Sequence, residues 1–232
     1  ASAIVLAGCG VPVAKHGNRA VTSKSGSADM LTALGVDLEA EFDLVERALT
    51  EAGICFMLAP RHHSAMRNVA GPRVELATRT IFNLLGPISN PALVKRQLVG
   101  VFAERWVEPV AHVLKSLGSV AAWVVHGHDG LDELTLTGKS KVAALKDGAV
   151  SVFEVSPEDA GLAPAAPDDL KGGTPEENAQ TMRAILRGEP GPLRDFVLYN
   201  SAAALIIAGR ADTLHTGVVR AAEAIDSGKA ET

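Results

Sequence analysis

The sequence is poor in cysteine and has no long hydrophobic run, and each shortage excludes a class of protein. Two cysteines, Cys9 and Cys55, occur in 232 residues, and both lie in apolar segments where a free thiol acts as a small buried hydrophobe. Neither a disulfide framework nor a zinc site is indicated. The longest apolar runs, such as AAALIIAG at 202–209, are far shorter than the roughly 20 residues that cross a bilayer. We expect no membrane span, and because no basic stretch precedes the first apolar residues, we expect a cytoplasmic protein.

Basic charge is also in short supply. Acidic residues outnumber basic ones 27 to 22, and the net charge of −5 argues against a general affinity for nucleic acid. The cations are concentrated in segments 15–24 and 59–80, which we interpret as local ligand sites. With 47% hydrophobic residues, the chain can build one substantial core.

Apolar runs alternate with helical patterns in an order that predicts an α/β fold. ICFML at 54–58 and VAAWVV at 120–125 are typical of strands buried on both faces, and a helical pattern covers about 109–117. Strand, helix and strand in this order favour parallel pairing with crossover helices. We predict a mixed, mainly parallel sheet flanked by helices.

The remaining segments add one long helix, two strands and a group of helices near the end. A helical pattern runs from about Ala28 to Ala52, where Gly53 would stop it. LTLTGK at 134–139 and VSVFEV at 150–155 alternate apolar with polar residues, which predicts half-exposed antiparallel strands. Further helices are predicted at 175–188, 195–209 and 217–228.

The segment KHGNRAVTSKSGSAD has the composition of a phosphate-binding loop. Gly17 and Gly26 allow close backbone approach, and hydrogen-bond donors suited to phosphate oxygens are dense. The order of glycines and lysine found in nucleotide-binding P-loops is absent. The alternative is a polar loop whose last serine only caps the next helix. The donors are Lys15, Asn18, Arg19, Ser23, Ser25 and Ser27.

An acidic pair, Asp132 and Glu133, ends the segment HGHDGLDE that follows the predicted strand at 120–125. Magnesium binds through one or two carboxylates and keeps positions for water and substrate phosphates, so the pair suits Mg²⁺. The alternative is an acidic pair that is simply solvated.

The basic segment 59–80 mixes histidine and arginine with apolar residues at helical spacing. Adjacent residues on a helix point apart, so we expect no metal between His62 and His63. An arginine beside apolar side chains suits a small aromatic carboxylate. The alternative is that the arginines are surface charges of a helix.

Together these segments resemble the anthranilate phosphoribosyltransferase family, transferases of tryptophan biosynthesis that join anthranilate to phosphoribosyl pyrophosphate (PRPP). The resemblance covers essentially the whole chain and implies a phosphoribosyltransferase-like catalytic domain, Mg²⁺ as cofactor and a homodimer. It also implies catalysis by positioning rather than by one acid or base. The motifs that carry it are KHGNRAVTSKSGSADMLTALGVDLE, FMLAPRHHSAMRNVAGPRVELATRTIFNLLGPISNP, VVHGHDGLDELTLTG, LKGGTPEENA, LRGEPGPLRDFVLYNSAAAL and AIDSGKA.

The resemblance assigns a role to each cluster. Asp132 and Glu133 match the Mg²⁺ ligands of the family. The residues that would bind PRPP are Lys15, His16, Gly17, Asn18, Arg19, Ala20, Val21, Thr22, Ser23 and Ser27. The residues that would bind anthranilate, with Arg73 on its carboxylate, are His16, Asn18, His63, Arg73 and Pro87.

The sequence departs from the family mainly at its beginning. Family members carry an N-terminal helical region and a glycine-rich G-T-G-G-D loop, and neither is matched here. The resemblance therefore implies that residues 1–232 are the C-terminal α/β domain of a larger chain, in which residues 60–88 belong with the helical region. Ala77 stands where glycine is common and Ser201 where alanine is usual, and we expect both to adjust packing rather than chemistry.

Two other functions compete with this interpretation. Pyrimidine nucleoside phosphorylases resemble this family in fold, but their motif resembles K-H-S-x-R, whereas Gly17 and Asn18 stand here. A non-catalytic paralogue that binds nucleic acid would need a basic surface, which a net charge of −5 opposes.

Overall fold

A computed structural model describes residues 1–19, 25–76, 78 and 80–231, apart from the side chains of residues 67, 70, 73 and 74. The chain divides into two compact units. The larger unit consists of Ala1–Val11, Val94–Lys171 and Thr181–Thr232, and the smaller unit of Pro12–Leu93 and Gly172–Gln180.

The described residues form both helices and strands. The helices are α1 (Ser2–Gly8), α2 (Ser27–Ala33), α3 (Phe42–Glu51), α4 (Ala59–His62), α5 (Arg67–Leu76), α6 (Phe82–Ile88), α7 (Val107–Ser116), α8 (Pro175–Leu186), α9 (Pro192–Ile207) and α10 (Leu214–Asp226). The strands are β1 (Val13–Gly17), β2 (Ile54–Leu58), β3 (Arg96–Gly100), β4 (Ala121–Gly127), β5 (Ser140–Lys146) and β6 (Ala149–Val155).

The smaller unit is built around the parallel pair β1 and β2. The predicted strand at 54–58 is confirmed with the same boundaries. It begins after Gly53, whose φ of 72° turns the chain out of α3, because glycine adopts positive φ at little cost. Ala28, Leu38 and Leu58 form the buried cluster of this unit, against which Leu31 and Phe56 pack.

The single helix predicted from Ala28 to Ala52 is wrong, because the structure has two helices there, α2 and α3. The first ends at Gly35, which has φ of 96°, and the amide of Val36 bonds back to the carbonyl of Leu31 at 3.0 Å. This is a glycine stop of the usual kind. The chain between the helices buries Leu38 instead of continuing the helix.

The larger unit contains a four-stranded sheet with the order β3-β4-β5-β6. The pair β3 and β4 is parallel, and the other two pairs are antiparallel. The α/β class with a mixed sheet is confirmed, and the described ladders divide evenly between parallel and antiparallel. α7 packs on β4 and β5, and α9 packs on α10, α1, β3 and β4. β3 was not predicted from the sequence.

The strand predicted at LTLTGK is wrong, whereas the strand predicted at VSVFEV is confirmed as β6. Leu134 and Leu136 are buried, but side chains take the backbone groups that a ladder would need. The amide of Leu134 bonds to Asn200, and the amide of Thr135 bonds to the hydroxyl of Ser140 at 2.9 Å. The antiparallel ladder therefore begins at Ser140.

The helices predicted at 109–117, 175–188, 195–209 and 217–228 are confirmed as α7, α8, α9 and α10. α10 begins at Thr213, whose hydroxyl accepts the amide of Thr216 at 3.1 Å, as an N-cap should. α9 and α10 pack closely, since a Cβ on Gly217 would lie 2.7 Å from Cα of Ala202. Among the helices of the described residues, none combines the length and apolar character that a membrane span needs.

Candidate functional site

The first predicted cluster lies on β1 itself rather than after it. Lys15, His16 and Gly17 are the last three residues of the strand and pair with Phe56, Met57 and Leu58 of β2. The sequence placed the whole KHGNR motif in a loop, and this part of the prediction is wrong. A strand fixes the directions of successive side chains more tightly than a loop does. The donors of Lys15 and His16 therefore start from a fixed backbone.

Gly17 fits where a side chain would not. A Cβ on this residue would lie 3.0 Å from Cζ of Phe56 and 3.3 Å from Oγ of Ser27. The backbone of Gly17 is thus held between an aromatic ring and the first residue of α2. The structure brings together Gly17 and Ser27, both predicted to bind PRPP, although ten residues separate them in sequence.

Arg19 and Asn18 are exposed and follow the strand. Nη1 of Arg19 lies 3.7 Å from a carboxylate oxygen of Asp29, and Nη2 lies 4.0 Å from Glu39. Asp29 also accepts the amide of Gly26 at 2.9 Å, which fixes the beginning of α2. Such long, exposed ion pairs are weak, so the guanidinium can exchange them for an anionic ligand at low cost.

Part of the predicted PRPP site lies outside the described residues. This holds for Ala20, Val21, Thr22 and Ser23, which remain predictions. Arg73 lies on α5, and its side chain is outside the described part of the structure. Its predicted contact with a carboxylate stays a prediction.

His16 and His63 meet, and this contact was not foreseen. Their Nε2 atoms lie 3.1 Å apart, and the rings pack edge to face with centroids 5.0 Å apart. The ring of His16 also bonds to the backbone of Gly86, and this bond favours the charged ring. His16 therefore donates to the carbonyl of Gly86. Between the two Nε2 atoms one ring donates and the other accepts, and the tautomers of the two rings decide which one does so.

Burial and the neighbouring histidines favour the uncharged form of His16. Burial, together with repulsion from His63 and His62, lowers the pKa of His16 below its ordinary value. The hydrogen bond to Gly86 opposes this shift but does not reverse it. Two protonated rings would turn N–H toward N–H at 3.1 Å, which the neutral arrangement avoids. Pro87, the next residue after Gly86, lies on α6.

His62 points away from this pair, as the sequence predicted. Its ring packs against Phe42, with centroids 5.0 Å apart. The guanidinium carbon of Arg61 lies 4.7 Å from the centroid of the same Phe42 ring. The two adjacent histidines therefore contact different partners and do not share one.

The acidic pair lies in the larger unit, after β4. Asp132 and Glu133 are exposed, and Leu134 next to them is fully buried. The backbone of Asp132 packs directly on Gly100, the last residue of β3, since a Cβ there would lie 1.6 Å from the carbonyl oxygen of Asp132. Only glycine at position 100 permits this approach.

Asp129 organises the turn that leads to the acidic pair. Its carboxylate accepts the hydroxyls of Thr135 and Thr137 at 2.6 and 2.7 Å and the amide of Leu131 at 3.1 Å. Burial acts to raise the pKa of Asp129, but these hydrogen bonds outweigh it and hold the pKa below its ordinary value. Gly127 leaves room for the carboxylate, because a Cβ there would lie 2.6 Å from Oδ1 of Asp129.

The acidic pair suits a magnesium ion that takes its other ligands from water and substrate phosphates. Within the described residues, no group of three or more His, Cys, Asp or Glu side chains could hold a metal, so an all-protein cage is not available there. Magnesium does not need one, since it is commonly held by one or two carboxylates, water and substrate phosphates. Two exposed carboxylates on a fixed backbone meet that requirement.

Two asparagines near the candidate residues were not singled out from the sequence. Asn90 donates from Nδ2 to the carbonyl of Ala14 on β1 at 3.0 Å and accepts the amide of Ala92 at 2.9 Å. Asn200 bonds to the backbone of Leu134. The second could have been noticed, since an amide in the apolar run FVLYNSAAALII needs partners when buried. The first gave no such signal.

The chain is similar to known proteins over essentially its whole length. Residues 1–231 match the family described as glycosyl transferase family, a/b domain. The chain is 62% identical over 231 residues to anthranilate phosphoribosyltransferase of Paramagnetospirillum magneticum, covering 100% of this chain and 67% of that protein. It is 60% identical over 231 residues to the same enzyme of Rhodospirillum rubrum, again covering 67% of it.

Solved structures of such enzymes share the fold. The anthranilate phosphoribosyltransferase of Thermus thermophilus superposes with a TM-score of 0.93 at 46% identity, over 99% of this chain and 68% of that one. The enzyme of Saccharomyces cerevisiae in complex with PRPP and Mg superposes with a TM-score of 0.89 at 29% identity, over 99% of this chain and 65% of that one. The chain belongs to the anthranilate phosphoribosyltransferases, a family of glycosyltransferases.

Proposed function

We propose that this chain transfers the phosphoribosyl group of PRPP to the amine of anthranilate, giving N-(5-phosphoribosyl)anthranilate and pyrophosphate, a step of tryptophan biosynthesis. The observation that carries the proposal is 62% identity over the whole chain to an enzyme of that name. The chain spans about two thirds of that enzyme's length. The cytoplasmic location and the homodimer expected from the sequence stay predictions.

The smaller unit would bind the sugar phosphate and its acceptor. Lys15 has a positively charged side chain near the end of β1. Arg19 can exchange its weak ion pairs with carboxylates for a pair with a phosphate. Gly17 and Ser27 lie together and offer a backbone and a hydroxyl for the same purpose. These residues would bind and orient the sugar phosphate, and correct orientation of two reactants lowers the barrier to their reaction.

The ring of His16 would face anthranilate in its uncharged form, because burial lowers its pKa. A neutral His16 does not compete with Arg73 for the carboxylate of anthranilate. Arginine suits that carboxylate because its guanidinium presents a fork of donors. Asn18, exposed just beyond the strand, would also face anthranilate.

The reaction needs leaving-group stabilisation more than a base. The amine of anthranilate is a neutral nucleophile, so its nitrogen forms a bond to ribose C1 as the bond from C1 to the pyrophosphate oxygen breaks, and the nitrogen loses one proton. Asp132 and Glu133 would hold the metal, and Lys15 would hold phosphate oxygens. Magnesium, when bound, supplies positive charge that neutralises the departing pyrophosphate.

The test follows the fluorescence of anthranilate with PRPP and Mg²⁺. We expect anthranilate to be consumed with one pyrophosphate released per molecule, and the 232-residue chain should be compared with a version that carries the glycine-rich loop of the family. Thymidine or uridine with phosphate is the matched alternative, because release of free base would identify a nucleoside phosphorylase. Base release without anthranilate consumption would overturn the proposal.

A further inference from the structure

Asn200 is a buried polar side chain that the proposed mechanism does not use. It lies in the middle of the apolar helix α9 and is 4% exposed. A buried amide costs free energy unless its donors and acceptors find partners. Its partners therefore indicate what the residue is for.

The side-chain amide of Asn200 forms hydrogen bonds with both backbone groups of Leu134, which lies outside α9. Its Oδ1 accepts the amide of Leu134 at 3.0 Å, and its Nδ2 donates to the carbonyl of Leu134 at 2.9 Å. A third bond runs from Nδ2 to the carbonyl of Phe196 at 3.1 Å, within its own helix. Both Leu134 bonds fix the orientation of the amide, because the reversed orientation would face donor to donor and acceptor to acceptor.

The residue that Asn200 holds is the neighbour of the acidic pair. Leu134 follows Glu133 directly, and Asp132 on the other side packs its carbonyl on Gly100. The backbone of the pair is thus fixed on both sides, by β3 before it and by α9 after it. Its two carboxylates point from this fixed backbone into exposed positions.

We propose that Asn200 is a positioning residue for Asp132 and Glu133, an inference that rests on the proposed role of that pair as magnesium ligands. Asn200 touches neither metal nor substrate in this account and acts only through the backbone of Leu134. Outer partners that orient metal ligands commonly change metal affinity about 10- to 100-fold when they are lost. Loss of Asn200 should therefore appear in the magnesium requirement.

The variant pair Asn200→Asp and Ser201→Ala separates positioning from packing. Aspartate keeps the shape and can still accept the amide of Leu134, but its other oxygen would face the carbonyls of Leu134 and Phe196 without a proton. Ser201 is the next residue of α9 and is also buried, and among the described residues its hydroxyl donates only to the carbonyl of Val197 in its own helix at 2.7 Å. Each variant removes a buried hydrogen bond. Only Asn200→Asp removes a bond to Leu134, the residue after the acidic pair.

Two measurements without turnover test the proposal. The first is calorimetric titration with PRPP, without anthranilate, at limiting and at saturating Mg²⁺. For Asn200→Asp we expect PRPP affinity to fall about tenfold at limiting Mg²⁺ and to recover as Mg²⁺ rises. The second is hydrogen exchange of the Leu134 amide, which should become faster in Asn200→Asp because the carboxylate repels the carbonyl of Leu134 and pushes that residue away from α9. Ser201→Ala should match the parent protein in both.

The double variant Asp132→Asn with Glu133→Gln separates the possible failures. If it abolishes the Mg²⁺ dependence of PRPP binding while Asn200→Asp leaves that dependence unchanged, the positioning role is overturned and the metal assignment stands. If the double variant itself binds PRPP with the parent's Mg²⁺ dependence, the metal assignment fails, and the positioning role fails with it. Equal loss in Asn200→Asp and Ser201→Ala would also overturn the proposal, because it would indicate general destabilisation.

Discussion

The Nε2 atoms of His16 and His63 lie 3.1 Å apart, and the ring of His16 is also hydrogen-bonded to the backbone of Gly86. A strand, a helix end and a further helix are thereby joined through one neutral imidazole. Because this imidazole can take up a proton, the stability of the folded protein depends on pH.

We predict that the free energy of unfolding falls in mildly acidic solution. The folded pKa of His16 is lowered, first by burial and then by repulsion from its histidine neighbours, so the unfolded chain binds the proton more readily. The neutral ring stabilises the folded state fully at pH values above about 6.5, the pKa of histidine in the unfolded chain. This stabilisation is lost as the pH falls from there toward the lowered pKa of His16 in the folded state. Burial lowers the pKa of His62 as well.

Denaturant unfolding at about pH 5.5 and about pH 7.5, on either side of the unfolded pKa, measures this effect. The variant His16→Asn, which removes the titrating ring, should lose less stability between the two pH values than the parent protein does. An equal loss in both proteins would show that His16 does not contribute.

Replacement of Gly17 should disturb PRPP binding. In Gly17→Ala the new Cβ would lie 3.0 Å from the ring of Phe56 and 3.3 Å from the hydroxyl of Ser27, so the strand must shift. Overpacking of this kind costs about 1–3 kcal/mol, and we expect the KM for PRPP to rise about tenfold. Gly71→Ala is the control, since none of the described atoms lies within 4 Å of its Cβ position. A similar KM in both variants would contradict the account.

Asn90 should support the strand that carries Lys15. Asn90→Asp can still accept the amide of Ala92 but can no longer donate to the carbonyl of Ala14. We expect a loss of about 1 kcal/mol in the free energy of unfolding and a raised KM for PRPP. Asn83→Asp is the control, because in the described part of the chain the side chain of Asn83 only accepts the nearby amide of Thr80. If PRPP kinetics respond equally to both changes, Asn90 has no special part in the site.

Arg73 is expected to bind the carboxylate of anthranilate. Arg73→Ala should raise the KM for anthranilate about 10- to 100-fold, as loss of a charged hydrogen bond does, with a smaller effect on the KM for PRPP. Arg47→Ala is the control, since the ion pair of Arg47 within the described ranges is with Glu51 on the exposed face of α3. An unaltered KM for anthranilate in Arg73→Ala would remove this residue from the site.

The fold was predictable where the signal was local. The strand at 54–58 follows from an apolar run that lies between a glycine and a proline, and the sequence predicted its boundaries correctly. Gly35 could have broken the long predicted helix, since a glycine at that position is a common stop. LTLTGK has the alternation of a strand, but its backbone groups are taken by side chains such as Asn200 and Ser140, which no local pattern reveals.

In the candidate site too, residues in local motifs were predictable and residues with long-range contacts were not. Lys15, Gly17 and the acidic pair stand out from short motifs whose chemistry is plain. The bond from Asn90 to Ala14 spans 76 residues and those from Asn200 to Leu134 span 66, so only folding brings these partners together. Sequence reasoning identified the groups that face a ligand and missed the amides that hold the backbone beneath them.

The most direct test of the account is the steady-state kinetics of the double variant Asp132→Asn with Glu133→Gln, measured by anthranilate fluorescence across a range of Mg²⁺ concentrations. We predict that kcat falls about a hundredfold or more, the loss of several kcal/mol of charge stabilisation, while the affinity for anthranilate changes little. Unchanged turnover at saturating substrates and limiting Mg²⁺ would contradict the claim that this pair holds the metal of a phosphoribosyl transfer.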